Sequence, residues 1–151
     1  MDSQVLEILG RNQLIGELLR ARLEVSLPIR DRGIDLIAYA DLNSDVQAFA
    51  ARPIQMKAAT NRSFGLDKKY AKFPNLLIAY VWHLDGNDKV ATFALNYQEA
   101  LGVISDMGYA KSTSWDRGNY VNTDPGVELR ERLKPYLMSS ETWWERIARG
   151  T

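Results

Sequence analysis

The sequence predicts an α/β fold, a mixed sheet of about five strands flanked by an N-terminal helix and by later helices. Three observations carry this. Apolar residues spaced by three and four open the chain, in Val5, Leu6, Ile8 and Leu9 and then Leu14, Ile15, Leu18, Leu19 and Leu23. Short runs rich in β-branched and aromatic residues follow, the most apolar being Leu76-Leu77-Ile78-Ala79-Tyr80-Val81-Trp82. Helical spacing then returns in the last third of the chain, where 97–107, 127–137 and 141–149 each read as a helix.

Taken in order, Ser3 suits a helix cap, and Gly10-Arg11-Asn12 offers a break or a second cap before the main apolar stripe. Glu17 flanks that stripe, with Arg20 and Arg22 towards the helix end, where cations suit the macrodipole. Residues 23–29 alternate as a half-exposed strand ending near Pro28. A loop through Arg30-Asp31-Arg32-Gly33 turns into a second strand, 33–40, with Asp35 near its start. A third strand spans 52–59 beyond a polar loop. The turn-rich segment 60–65 leads to an expected short helix over 66–73, which holds the densest basic stretch of the chain, Lys68, Lys69 and Lys72. Asp85-Gly86-Asn87-Asp88 is a hairpin signal joining the strand at 76–82 to one at 89–95. His83 reads as a strand-end histidine. Adjacent Trp143 and Trp144 diverge by about 100° on a helix, so one faces a core and the other an edge or a partner chain.

The composition narrows the function. With 151 residues the expectation is a single domain spanning 1–151. Nineteen basic and nineteen acidic residues cancel, so contact with nucleic acid has to come from a local patch. The chain has no cysteine, which excludes disulfides, thiolate metal sites and a cysteine nucleophile. Its one histidine excludes a multi-histidine metal centre within the chain. No basic signal-peptide start and no long apolar span are present, and the expectation is a cytoplasmic protein without a membrane partner.

The residues with chemistry in them lie between Gly33 and Lys57. Side chains alternate along a strand, so Gln55 and Lys57 share one face of the third strand, while Ile54, Met56 and Ala58 take the other. A hairpin through 43–51 makes this strand the neighbour of the one carrying Asp35, and the three polar groups converge. Asp35 followed by Gln55-Met56-Lys57, with Gly16-Glu17 on the preceding helix, resembles the PD-(D/E)XK nuclease superfamily, in particular Holliday junction resolvase-like members and intron-encoded homing endonucleases. The resemblance covers roughly residues 12–82, about half the chain. It departs from the commoner pattern in having Gln55 where most members have Glu.

The resemblance implies a restriction-endonuclease-like αβββαβ core and a Mg²⁺-dependent DNA endonuclease, with Mn²⁺ as a substitute ion. It implies Asp35, the Gln55 side-chain carbonyl, the Met56 backbone carbonyl and Glu17 as metal ligands, and Lys57 orienting the attacking water or stabilising phosphoryl charge. Arg30, Arg32, Arg62, Lys68, Lys69 and Lys72 are the candidate DNA contacts, arginine being able to fork onto two phosphate oxygens. DNA is the expected partner, and the Trp143-Trp144 helix leaves room for a homodimer or higher homo-oligomer. Gln55 removes one negative charge from the ligand set, so metal affinity falls unless Glu17 or a substrate phosphate restores it. The alternative is a catalytically inactive nuclease-like module that binds nucleic acid or protein. In a purely structural reading, Asp35 caps a turn, Gln55 bonds across strands and Lys57 reaches out of the sheet.

Overall fold

The computed structural model describes residues 1–150. It opens with a helix, α1 (Ser3–Arg20), capped by Asp2, whose carboxylate accepts the N–H groups of Gln4 and Val5. The cap thus falls one residue before Ser3, and the helix runs through Gly10 without a break. Gly10 marks the point where α1 comes down onto the sheet, since a Cβ there would lie 2.9 Å from the Ala58 Cβ and 3.0 Å from the Met56 Sδ. Glycine costs about 1 kcal/mol in a helix interior relative to alanine. Close packing of helix on strand outweighs that cost here.

Seven strands follow: β1 (Glu24–Ser26), β2 (Leu36–Tyr39), β3 (Ala51–Ala58), β4 (Phe64–Asp67), β5 (Leu77–Trp82), β6 (Ala91–Leu95) and β7 (Asn119–Asn122). Five form a mixed sheet in the order β1-β2-β3-β5-β6, antiparallel except for the parallel pair β3 and β5. The Asp85-Gly86 turn joins β5 to β6 as the sequence predicts. His83 ends β5, buried and at φ +67°, its N–H bonded to the Asn61 carbonyl.

The crossover from β3 to β5 differs from expectation. In place of a helix over 66–73 the chain forms β4 and then a 3-10 turn, Lys68–Lys72. Phe64 and Leu66 are buried while Gly65 and Asp67 are half-exposed, a period of two that four residues are too few to declare from sequence. The Asp67 carboxylate accepts the Lys69 N–H and so caps the turn. Pro74 then disfavours helical geometry at Phe73. The partner of β4 is β7, which lies in a stretch without strand periodicity; the pairing makes a second, two-stranded sheet.

All six residues of β5 are buried and alternate between two cores. Ile78, Tyr80 and Trp82 pack with β4, α2 (Tyr97–Asp106), α3 (Thr113–Asp116) and α4 (Val127–Leu133), through Phe64, Ile104, Trp115 and Leu129. Leu77, Ala79 and Val81 pack with α1 and α5 (Ser140–Ala148), through Leu14, Leu18 and Trp143. Two polar tips fasten the small sheet over the first core: Tyr80 Oη donates to the Gly65 carbonyl at 2.5 Å and Trp82 Nε1 to the Ser63 carbonyl at 2.8 Å. The tryptophan pair splits as expected. Trp143 is fully buried, and Trp144 lies at the surface beneath the Arg22 guanidinium, 5.0 Å from its carbon.

Glu17 joins three elements. Its carboxylate accepts from Gln13 Nε2 at 2.9 Å, from Thr92 Oγ1 of β6 at 2.7 Å and from Trp143 Nε1 of α5 at 3.1 Å. Removing it leaves the buried Thr92 and Trp143 donors without an acceptor, each costing about 1–3 kcal/mol. Glu17→Ala is therefore expected to lower unfolding stability in urea by about 2–4 kcal/mol, with Glu17→Gln retaining most of it.

Candidate metal and nucleic-acid site

The site is built where β2 begins. Leu36 pairs with Ile54, so Asp35 stands opposite Gln55, and its own N–H bonds to the Ile54 carbonyl. Regular pairing stops there while β3 continues to Ala58. The Asp35 side chain takes over the next ladder position, with Oδ2 accepting the Met56 N–H at 2.6 Å. Its carboxylate thus lies at the edge of the sheet, within reach of the helix above and the loop before it.

Both contribute a carboxylate. Glu7, from the first half of α1, and Asp31, from the loop before β2, place oxygens so that one from each of Glu7, Asp31 and Asp35 lie within 4.8 Å of one another. Glu7 and Asp31 are exposed and Asp35 is half-buried. Burial pushes the Asp35 pKa up; the Met56 N–H opposes it, Asp31 and Glu7 add to the rise, and Lys57 counters. Three carboxylate oxygens so close form a set able to hold a metal ion.

Gln55 adds a neutral donor. Its Oε1 is buried without a hydrogen-bond partner, and its Nε2 makes only a long 3.5 Å contact to the Met56 carbonyl. A buried amide oxygen left unpaired costs about 1–3 kcal/mol, so the orphan oxygen on the residue opposite Asp35 is informative. An all-oxygen donor set with two or three negative charges fits a hard divalent cation such as Mg²⁺ or Mn²⁺.

Lys57 lies two residues on, on the Gln55 face, opposite Tyr80 in the parallel register. Its ammonium is 5.9 Å from the centre of the Tyr70 ring, and that of Lys69 is 5.2 Å from the same ring. Partial burial first and Lys69 second lower the Lys57 pKa; Asp35 and Asp67 oppose this. Lys68 sits over Trp115 at 4.9 Å. Lys68, Lys69 and Lys72 are exposed on the 3-10 turn, Arg62 is half-buried, and Arg30 and Arg32 are exposed on either side of Asp31.

Asp35 thus bonds the Met56 N–H, stands opposite Gln55 and lies near enough to Lys57 to act on its charge, whereas Glu17 is held elsewhere. Glu17 is bound to Thr92 and Trp143, ten residues along the helix from Glu7 and therefore about 15 Å away at 1.5 Å per residue. The helix carboxylate of the site is Glu7. One clue was in the sequence, since Glu7, Gly10, Leu14 and Leu18 recur at three and four and so share the face laid on the sheet. Asp31 has no such signature. Comparison with protein-family models, with curated proteins and with solved structures finds no match for this chain.

A carboxylate with a raised folded-state pKa holds its proton more tightly folded than unfolded. Stability then falls as pH rises from the ordinary carboxylate range through the raised value, and the penalty is complete above it. In EDTA, Asp35→Asn is expected to flatten that fall and to unfold at higher urea than the wild type at neutral pH, the amide oxygen still accepting the Met56 N–H. Mn²⁺ should raise the melting temperature of the wild type and leave Asp35→Asn and Glu7→Gln unmoved; an equal rise in all three would remove the carboxylates from the site.

Proposed function

We propose that this chain is a Mg²⁺-dependent DNA endonuclease with a restriction-endonuclease-like core, in which Asp35, Gln55 and Lys57 form the PD-(D/E)XK signature. The observation that carries this reading is the convergence, at the head of β2, of Asp35 with a helix carboxylate and a loop carboxylate, opposite Gln55 with its unpartnered oxygen, which is two residues before Lys57 on β3. The strand order supports it as well: a helix, three antiparallel strands, a crossover and a strand parallel to the third follow the superfamily's sequence of elements, with a 3-10 turn for the second helix.

Glu7, Asp31 and Asp35 would hold the ion, with Gln55 Oε1 and the Met56 carbonyl as neutral donors. A bound Mg²⁺ would supply polarisation of the phosphoryl group and a more acidic water. Asp35 is positioned by the Met56 N–H, which fixes one of its oxygens and leaves the other for a ligand. The charge lost with glutamine at position 55 is made up by Asp31, so the site holds as many carboxylates as a Glu-bearing site with a single helix carboxylate. Lys57 carries its ammonium towards the face where a phosphodiester would lie, and there it orients the attacking water or takes up charge on the phosphoryl oxygens. Arg30 and Arg32 beside Asp31, with Lys68, Lys69 and Lys72 beyond Lys57, flank the site with cations for the DNA backbone.

Nicking of supercoiled plasmid tests the proposal. It is expected with Mg²⁺ or Mn²⁺ and not with EDTA, and Lys57→Ala should slow it by roughly 10²-fold or more at unchanged melting temperature. Absence of cutting on plasmid, branched and single-stranded DNA by a folded protein would sink the enzyme reading and leave a nuclease-like binding module.

A further inference from the structure

Next to Lys57 the two sheets enclose a cavity. The small sheet of β4 and β7 is fastened over β5 by Tyr80 and Trp82, and the gap beneath it, about 150 Å³, is lined by Lys57, Lys69, Tyr70, Asn119 and Tyr120 among others. That is several times the ~30 Å³ of one water in the liquid. It suits a planar ring but not a base pair.

The walls and the rim ask for different things. Tyr70 is buried, and Tyr120 stacks one ring face on Tyr109, with centroids 4.5 Å apart and planes 18° from parallel, while it also lines the cavity. At the rim, Lys57 and Lys69 both stand over Tyr70, and among the described residues no ion pair engages either. The Asp67 carboxylate also lines the cavity and offsets one of these charges in part, so the mouth keeps an excess of positive charge; with the aromatic walls it matches a flat aromatic group that carries an anion next to it. Phe73, large and exposed at the end of the same lysine-bearing turn, adds a second aromatic surface outside.

We infer that this cavity receives one unpaired nucleobase of the substrate, with its phosphate held between Lys57 and Lys69, so that the preferred DNA has an unpaired nucleotide next to the cut. This rests on the endonuclease reading for the position of the cut. A base inside a regular duplex must first be unpaired and unstacked to enter, whereas a bulge, flap or single strand offers one without that cost. The pocket therefore selects substrate shape and not sequence.

Binding measured in EDTA separates the pocket from catalysis. The probes are a perfect duplex, the same duplex with one unpaired 2-aminopurine nucleotide, and a single strand containing it. The wild type is expected to bind the last two about tenfold or more tighter than the duplex and to change the 2-aminopurine fluorescence. Tyr120→Ala should lose most of the preference and the fluorescence change. Lys69→Ala, an exposed position that leaves the fold intact, should weaken binding of the unpaired forms and provides the test if Tyr120→Ala melts early. Equal affinity of the wild type for all three DNAs overturns the inference, even if plasmid is cut. A preference for the unpaired forms by a protein that cuts nothing with Mg²⁺ supports the pocket and sinks the enzyme.

Discussion

The structure depends on burying β5 on both faces. A strand with no solvent side must be covered by two separate layers, and each residue is committed to one of them. Leu77, Ala79 and Val81 call for α1 and α5; Ile78, Tyr80 and Trp82 call for the α2 and α4 layer and for the small sheet. Through the parallel register the same division passes to β3, where Ile54 and Met56 go under α1 and Gln55 and Lys57 emerge among the tyrosines. The polar pair is thereby set at a seam between layers, close to solvent yet partly withdrawn from it. A sheet open on one side would have left the same two residues fully in water, with little consequence for the protonation of Lys57 or the hydrogen bonding of Gln55.

Negative charge at the site is distributed with some care. Gln55 on β3 is neutral at a half-buried position, where a further negative charge opposite Asp35 would be hard to solvate. The other two carboxylates of the cluster come from exposed places, the first half of α1 and the loop before β2, where water solvates them. Only Asp35 bears a marked desolvation, and it is the one with a strong backbone donor, the Met56 N–H.

Much of this was legible in the sequence because it rests on periodicity. The alternation of β3, the uninterrupted apolar run of β5, the Asp85-Gly86 turn and the split of Trp143 from Trp144 all follow from which way successive side chains point. What stayed hidden rests on tertiary pairing. β4 is four residues long, and its strand character comes from β7, over fifty residues later, with Gly65 admitting the Tyr120 carbonyl where a Cβ would lie 2.7 Å from it. Glu17 and Glu7 sit on the same helix and differ only in what lies beneath them. Thr92 and Trp143 draw the first into a structural bond, and the head of β2 lies under the second. A local pattern has no access to that difference.

Gly10 connects packing to chemistry in one further way. It lies one turn after Glu7 on the same face of α1, at a point where helix and β3 are in close contact. The height of the helix above the sheet is therefore set by a hydrogen atom in place of a methyl group, and the Glu7 carboxylate is carried at that height. Mg²⁺ tolerates little departure from short, near-octahedral coordination, whereas larger ions accept looser shells. The missing side chain at position 10 thus acts as a spacer gauge. In the proposed metal site its thickness would set how near the Glu7 carboxylate comes to Asp35, although the residue itself touches neither.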